Sequence, residues 1–294
     1  MKRYLFLLLL LDFAFFHLMA SPLRLSKVGY PGGKTYLYRL YLTDKCHSSY
    51  SLNHPEAYLS KRSLERRSRQ HLTVDSTDLP VSPVYLAALH GCGIEVVGKS
   101  KWNNTVLIRV HSQKTLKLIS NLPFIRKEKK VFTSPDSLTI RLRSGFQKEF
   151  NSWETDTKDE YGATQSQVEN LKGVQLHHAG FRGKSELIGV IDGGYMNVDK
   201  IPAFSNIHIV GMADFVIPRS QNLFKEIEHG TMVLSAMAVN IPHYSIGTAP
   251  DASYLLLRSQ DSQTESQAEE DYWPPAADYA DSVGVDVING SSGY

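Results

Sequence analysis

The first half of the chain alternates strand-like and helix-like runs of apolar residues. Four segments rich in β-branched and aromatic residues are predicted strands, at residues 35–43, 94–97, 104–110 and 124–132. Between them, VYLAALH after Pro83 and TLKLIS after Ser112 have the start signals and apolar content of short helices. The order β-α-β-β-α-β predicts an α+β ferredoxin-like domain, a compact sheet with two helices on one face.

The second half repeats strand and helix in a different way. Strand-like runs are predicted at residues 186–191, 207–210, 253–257 and 285–289. Helices are predicted at 165–179, at 230–239 and in a segment that ends near Gly284. Because proline is poorly tolerated inside a helix, this last helix is predicted to begin near Pro274 and Pro275, which a first turn can accept. The alternation predicts an α/β domain, a partial parallel sheet with helices on both faces.

The N-terminal pattern and the polar stretches predict the domain boundaries. Lys2 and Arg3 precede an apolar run that ends at Ala20, the arrangement of a secretory signal peptide. The alternative, a membrane anchor, is disfavoured because Asp12 interrupts the run. Residues from about 134 to 162 are polar with no sustained period. We predict a signal peptide at 1–20, a first domain at 21–145, a linker at 146–162 and a second domain at 163–294, in a secreted or periplasmic chain that leaves the membrane after signal cleavage.

Charge is divided unevenly between the two halves. Residues 1–150 contain 24 Lys and Arg against 10 Asp and Glu, a formal charge of +14, whereas residues 151–294 contain 8 against 20, a formal charge of −12. Opposite fields steer two domains into contact, so we expect the halves to associate with each other rather than with nucleic acid. The basic runs at 60–70 and 126–130 are predicted to be solvated faces. Cys46 and Cys92 are compatible with a disulfide after export or with two free thiols.

Four motifs in the second half carry the candidate chemistry. They read LIGVIDGG at 187–194, HGTMVLSAMA at 229–238, GTAPDASYLLLR at 247–258 and VDVINGSSGY at 285–294. Catalytic groups gather outside the carboxyl ends of parallel strands, and Asp192 and Asn289 both fall there. In this order the motifs resemble those of the subtilisin-like serine protease family.

The resemblance implies a serine endopeptidase that acts on peptide or protein substrates and uses no cofactor and no metal. It implies that Asp192 and His229 belong to an Asp-His-Ser triad, in which the histidine accepts the serine proton and the aspartate orients the imidazole. It also implies that Ser291, Ser292 and Gly293 pair with the substrate backbone as an added strand. Ser292 stands where the family usually has leucine, which bears on substrate preference.

The first half resembles a subtilisin prodomain. The similarity lies in YLYRLYLTDK, PEAYLSKRSLERRSRQ, DLPVSPVYLAAL and SKWNNTVLIRV, in this order. Prodomains of this kind chaperone and inhibit the enzyme that they precede. The resemblance therefore implies that the first domain is an intramolecular partner of the second.

The family's Gly-Thr-Ser-x-Ala nucleophile turn and its oxyanion-hole asparagine have no match in residues 1–294. We therefore expect the polypeptide as written to be a fragment without appreciable peptidase activity, because loss of a triad member lowers the rate of subtilisin about a millionfold. A second hypothesis is a non-catalytic inhibitor or chaperone of another subtilisin-like protease. A third, a metal-dependent hydrolase that uses His177, His178, Asp192 and His229, is disfavoured because the adjacent histidines point in different directions and no ligand spacing recurs.

Overall fold

The computed structural model describes residues 24–30, 33–142, 159–220, 222–264 and 266–291. The predicted signal peptide, most of the predicted linker, Ser292 and Gly293 lie outside these residues. The chain divides into two compact units, one formed by Met1–Lys34 with Ser134–Ser152 and the other by Thr35–Thr133 with Trp153–Tyr294. The domain boundaries proposed from the sequence stay predictions. No helix among the described residues is long and apolar enough to cross a membrane.

The described part of the first unit is a two-stranded antiparallel sheet. Strand β1 is Arg24–Gly29, and it pairs with β6, Ser137–Leu142. Between them, the Lys34 amine donates to the carboxylate of Asp136 at 2.9 Å. The sequence pattern did not predict β6, because it lies in the stretch after residue 134 that was assigned as polar and without a period.

The first half of the second unit contains the predicted ferredoxin-like sheet. Its antiparallel strands are β2 Tyr36–Leu42, β3 Glu95–Ser100, β4 Thr105–Val110 and β5 Ile125–Thr133, in the order β3-β4-β2-β5. Three helices accompany it, α1 Lys61–Arg69, α2 Pro83–Gly91 and α3 Gln113–Ile119. Leu40 and Ile108 of the sheet and Leu89 and Ile119 of the helices are fully buried in one core. The predicted order of the four strands with α2 and α3 is confirmed, and α1 is an additional helix that the pattern did not predict.

The opposite face of this sheet packs against the second half of the chain. Side chains alternate between the two faces of a strand, so Leu37 points away from Leu40. Leu37 and Leu107 share a second apolar cluster with Val216 and Tyr272. The sheet therefore packs against its own helices on one face and against the second half of the chain on the other.

The second half contains a parallel four-stranded sheet, as predicted. Its strands are β7 Leu187–Asp192, β8 His208–Asp214, β11 Ser253–Arg258 and β12 Val287–Gly290, in the order β12-β7-β11-β8. The other elements are the helices α4 Gln165–Asn170, α5 Gly173–His178, α6 His229–Ala238 and α7 Glu269–Val283, and a short hairpin of β9 Asn240–Ile241 and β10 Ser245–Ile246. Leu234 of α6 packs on one face of the sheet and Ala280 of α7 on the other.

Two helix predictions in this half are wrong. Residues 165–179 form two short helices instead of one, because Lys172 has a left-handed φ of 59° and leaves Leu171 exposed. Helix α7 begins at Glu269, so Pro274 and Pro275 lie in its interior and not in its first turn. An interior proline removes a backbone hydrogen bond and costs about 3 kcal/mol. Burial of Tyr272 in the preceding turn against the ferredoxin-like sheet offsets that cost.

The prediction that residues 60–70 form a solvated face is also wrong. These residues form α1, whose N-cap Ser60 accepts a hydrogen bond from the Ser63 amide. Ser63 and Arg67 are buried, and Arg67 pairs with Asp281 of α7 at 2.8 Å. The charged sequence concealed a helix because one of its main partners, Asp281, lies more than 200 residues away in the chain.

Candidate active site

Asp192 lies at the carboxyl end of a fully buried strand. All six residues of β7 are buried, and the Asp192 side chain has no exposed surface. The chain then turns through Gly193, whose amide donates to Asp192 Oδ1 at 2.7 Å. A Cβ atom on Gly194 would lie 2.5 Å from the Glu226 Cβ, so only glycine allows the loop that precedes His229 to approach this closely.

His229 is the first residue of α6 and points at Asp192. Its Nδ1 lies 3.0 Å from Asp192 Oδ1 and 2.9 Å from Oδ2. An ionised carboxylate only accepts hydrogen bonds, so Nδ1 carries the proton and Nε2 of the neutral ring is left as an acceptor. The His229 side chain is 47% exposed. The arrangement can therefore accept a proton from a group that approaches from solvent.

The start of α6 is attached to the loop that follows Asp192. Thr231 Oγ1 donates to the Met196 carbonyl at 2.9 Å. A Cβ atom on Gly230 would collide with the Gly194 carbonyl and lie 3.0 Å from the Asp192 Cβ. The motif HGT thus places a small residue directly beside Asp192 and a threonine that hydrogen-bonds to the loop after it.

Tyr195 supports the same loop and was missed in the sequence. Its side chain is fully buried, and its hydroxyl donates to the carbonyls of Val190 and Leu257. Burial, with a further contribution from the nearby Asp192, raises the pKa of Tyr195 well above its usual value. The phenol therefore stays protonated and remains a donor that connects the loop to β7 and β11. Its position three residues after Asp192 was the only available signal.

Of the three predicted substrate-binding residues, only Ser291 lies among the residues that the structure describes. Ser291 follows β12, and its amide donates to the Ile191 carbonyl at 3.4 Å. Because Gly290 pairs with Ile191, Ser291 lies at the same sheet edge as Asp192. Ser292 and Gly293 lie outside the described residues.

The histidines of the metal hypothesis do not form a cluster with the site. His177 is buried, with Nδ1 2.9 Å from the Tyr161 hydroxyl and Nε2 3.0 Å from the Thr248 carbonyl. His178 lies 3.4 Å from a carboxylate oxygen of Glu160. Across the described ranges, no group of three His, Cys, Asp or Glu side chains could hold a metal ion. Cys46 and Cys92 are free thiols.

Charged side chains of the first half meet acidic residues of α7. Arg39 of β2 donates to the two carboxylate oxygens of Asp271 at 2.5 and 2.8 Å. Lys101 contacts Asp281 at 2.8 Å. Burial acts to raise the pKa of Asp281, but Lys101 and the neighbouring arginines outweigh it and hold this pKa below its usual value. The opposite charges of the two halves are therefore in direct contact.

Comparison with known proteins gave matches to one family model and to several solved structures. Residues 37–148 match the family model described as "Peptidase S8 propeptide domain, Bacteroidota". Among solved structures, the epidermin leader peptide processing serine protease EpiP of Staphylococcus aureus is 13% identical with a TM-score of 0.51, over 87% of this chain and 49% of that chain. Fervidolysin of Fervidobacterium pennivorans, a keratinolytic enzyme related to subtilisin, is 13% identical with a TM-score of 0.38, over 79% and 32%. No curated protein matches the chain.

These findings define the class as a propeptide domain followed by the fold of subtilisin-like serine proteases. The prediction is supported in two parts, because the family model identifies a peptidase S8 propeptide domain at residues 37–148 and the EpiP structure with a TM-score of 0.51 shares the fold. The chain spans about half the length of the first structures that it matches, 50% and 49% of the two EpiP chains.

Proposed function

We propose that this chain contributes the prodomain, the general base and the orienting carboxylate of a secreted serine endopeptidase. The observation that carries the proposal is the contact between His229 Nδ1 and the buried Asp192 carboxylate, at 2.9 and 3.0 Å. It lies at the carboxyl edge of a parallel sheet, where the subtilisin-like fold has its reaction centre.

The chemistry proposed for this pair is acyl transfer. His229 Nε2 accepts the proton of a serine hydroxyl as that oxygen attacks the carbonyl of a peptide bond. Asp192 holds the ring in the required tautomer and stabilises the imidazolium that forms. The imidazolium then gives its proton to the leaving amine. Ser291, Ser292 and Gly293 are proposed to pair with the backbone of the peptide substrate.

The prodomain is proposed to act on the second half of its own chain and to be removed after export of the precursor. Contacts of Arg39 and Arg67 with Asp271 and Asp281 support an intramolecular partner. The alternative, an inhibitor of another protease, is less well supported because these arginines are already paired within the chain.

The experiment uses a polypeptide that continues past residue 294 to a Gly-Thr-Ser-x-Ala motif. A fluorophosphonate is expected to label its serine, and His229→Ala is expected to lower the labelling rate by at least 10³-fold, because the base is lost. His208→Ala, a change at an exposed histidine, is the matched control and should label normally. Residues 1–294 alone are expected to remain unlabelled. Undiminished labelling of His229→Ala would contradict the proposal.

A further inference from the structure

Arg258 is a buried cation beside the candidate active site. It is the last residue of β11, and in the parallel register it lies between Asp192 of β7 and Asp214 of β8. Its side chain is 3% exposed. A buried charge is destabilising unless it is paired and hydrogen-bonded. The groups that pair with Arg258 therefore indicate which parts of the site it holds together.

The guanidinium contacts three separate places, two loops and the end of β8. Nε donates to the Gly193 carbonyl at 3.0 Å, Nη1 donates to Asp214 Oδ2 at 3.1 Å, and Nη2 lies 3.3 Å from Glu226 Oε2. The planar group thus directs one donor to each of three places at the carboxyl edge of the sheet.

The two loops, which contain Gly193 and Glu226, carry the candidate catalytic pair. Gly193 directly follows Asp192, and Glu226 precedes His229 by three residues. The third partner, Asp214, is itself held in place, because its Oδ1 accepts the amides of Val216 and Ile217 at 2.9 and 2.8 Å. Arg258 therefore connects the carboxylate loop and the imidazole loop to the end of β8, where Asp214 is held by two backbone amides.

We propose that Arg258 is a positioning residue that sets the distance between Asp192 and His229. It contacts neither side chain's reacting atoms and acts through Gly193 and Glu226. Lysine cannot replace it, because a single ammonium lacks the planar arrangement of donors that reaches all three acceptors. The inference rests on the proposed function, since it assigns a role in placing that pair.

The test is made on residues 21–294 with ¹⁵N-labelled histidine. A proton on His229 Nδ1 that is hydrogen-bonded to Asp192 is expected to give a downfield NMR signal, assigned by its loss in His229→Ala. Arg258→Lys is expected to abolish or shift this signal while circular dichroism stays unchanged. Glu226→Gln, at a side chain that is 26% exposed, removes one contact and should shift the signal less. Arg182→Lys, which alters a comparable pair with Asp251 away from the site, is the matched control and should leave it unchanged.

The outcomes separate this inference from the proposed function. If the unmodified chain gives no signal that His229→Ala removes, the proposed pair is wrong. If it gives that signal and folded Arg258→Lys retains it unshifted, the role of Arg258 is wrong. If Arg258→Lys does not fold, Glu226→Gln decides, and an unshifted signal in that variant overturns the inference.

Discussion

Asp278 shows how a single side chain makes the contact between the two halves sensitive to pH. It projects from α7, and its Oδ2 accepts the Lys101 amide at 2.6 Å. Burial raises the pKa of Asp278 to about 6, although the hydrogen bond and the charge of Lys101 act to lower it. Lys45 and Lys101 are the cations that face it, and Asp281 is the neighbouring acid on the same helix. The carboxyl group therefore holds its proton in the folded protein at a pH where the unfolded chain has lost it.

The sign of the pH dependence follows from this difference. Below about pH 4 the Asp278 carboxyl is protonated in both states, and its contribution to stability is complete. Between about pH 4 and 6 the folded state binds more protons, so the free energy of unfolding falls as pH rises. Above the folded pKa, the loss attributable to Asp278 amounts to about 3 kcal/mol.

We therefore expect Asp278→Asn to raise the free energy of unfolding at pH 7.5 by a few kcal/mol and to change it little at pH 4. The amide oxygen still accepts from Lys101, and the ionisation is removed. Urea unfolding of the variant and of the unmodified chain at the two pH values measures the difference in the free energy of unfolding. The contrasting variant is Asp281→Asn, which should destabilise most at pH 7.5, because a lowered pKa contributes stability that is lost as pH falls. Parallel pH curves for Asp278→Asn and the unmodified chain would contradict the expectation.

At the scale of elements, α1 is held by ion pairs rather than by an apolar face. Arg67 contacts Asp78 at 2.7 Å and Asp281 at 2.8 Å, and all three side chains are largely buried. Removal of one partner from a buried ion pair leaves an uncompensated charge, which is strongly destabilising. Lys61 on the same helix is exposed and forms an ion pair with Glu65 at 3.6 Å.

Substitution of one arginine and of one lysine on α1 is therefore expected to have very different effects on the free energy of unfolding. Arg67→Ala should lower the free energy of unfolding by about 3–5 kcal/mol, whereas Lys61→Ala should change it by less than about 0.5 kcal/mol. Both variants lose a cation from one helix, so the comparison separates burial from charge. Urea unfolding of the whole chain measures the difference. A mild effect of Arg67→Ala, equal to that of Lys61→Ala, would show that the helix docks by other contacts.

At the scale of the whole molecule, complementary charge and an apolar cluster join the two halves of the second unit. The pair Arg39 and Asp271 lies next to Leu37 and Tyr272, which belong to the shared cluster. Charge selects the partner surface, and apolar burial supplies most of the favourable free energy. Both are needed because a buried ion pair alone contributes little net stability.

A double-mutant cycle tests the contribution of the Arg39 and Asp271 pair to this interface directly. Arg39→Asp and Asp271→Arg should each destabilise the chain, and the double variant should recover part of the loss, with a coupling energy of at least about 1 kcal/mol. The free energy of unfolding of the four proteins gives the coupling. The same cycle on Arg182 and Asp251, which pair within the second half at 2.9 Å, is the control for a more exposed contact. Coupling near zero at Arg39 and Asp271 would contradict a charge-selected interface.

The spacing of apolar residues was sufficient to predict most strands, both four-stranded sheets and the position of Asp192 at a strand end. Period-2 patterns in β2 and continuous apolar runs in β7 are local properties, because they reflect which faces a strand must bury. The resemblance to subtilisin-like proteases with a prodomain also followed from short motifs in order. The candidate pair Asp192 and His229 came from that resemblance, and its role stays a prediction.

Only the tertiary structure decided the features whose partners are distant in the chain. Helix α1 forms in a strongly charged segment because Asp281 neutralises Arg67. Helix α7 extends through two prolines, with Tyr272 buried against the ferredoxin-like sheet. Arg258 and Tyr195 meet the site loops through contacts that no local pattern encodes. Local periodicity reports what a segment must bury, whereas the pairing of a buried charge or polar group depends on which residues the fold brings to it.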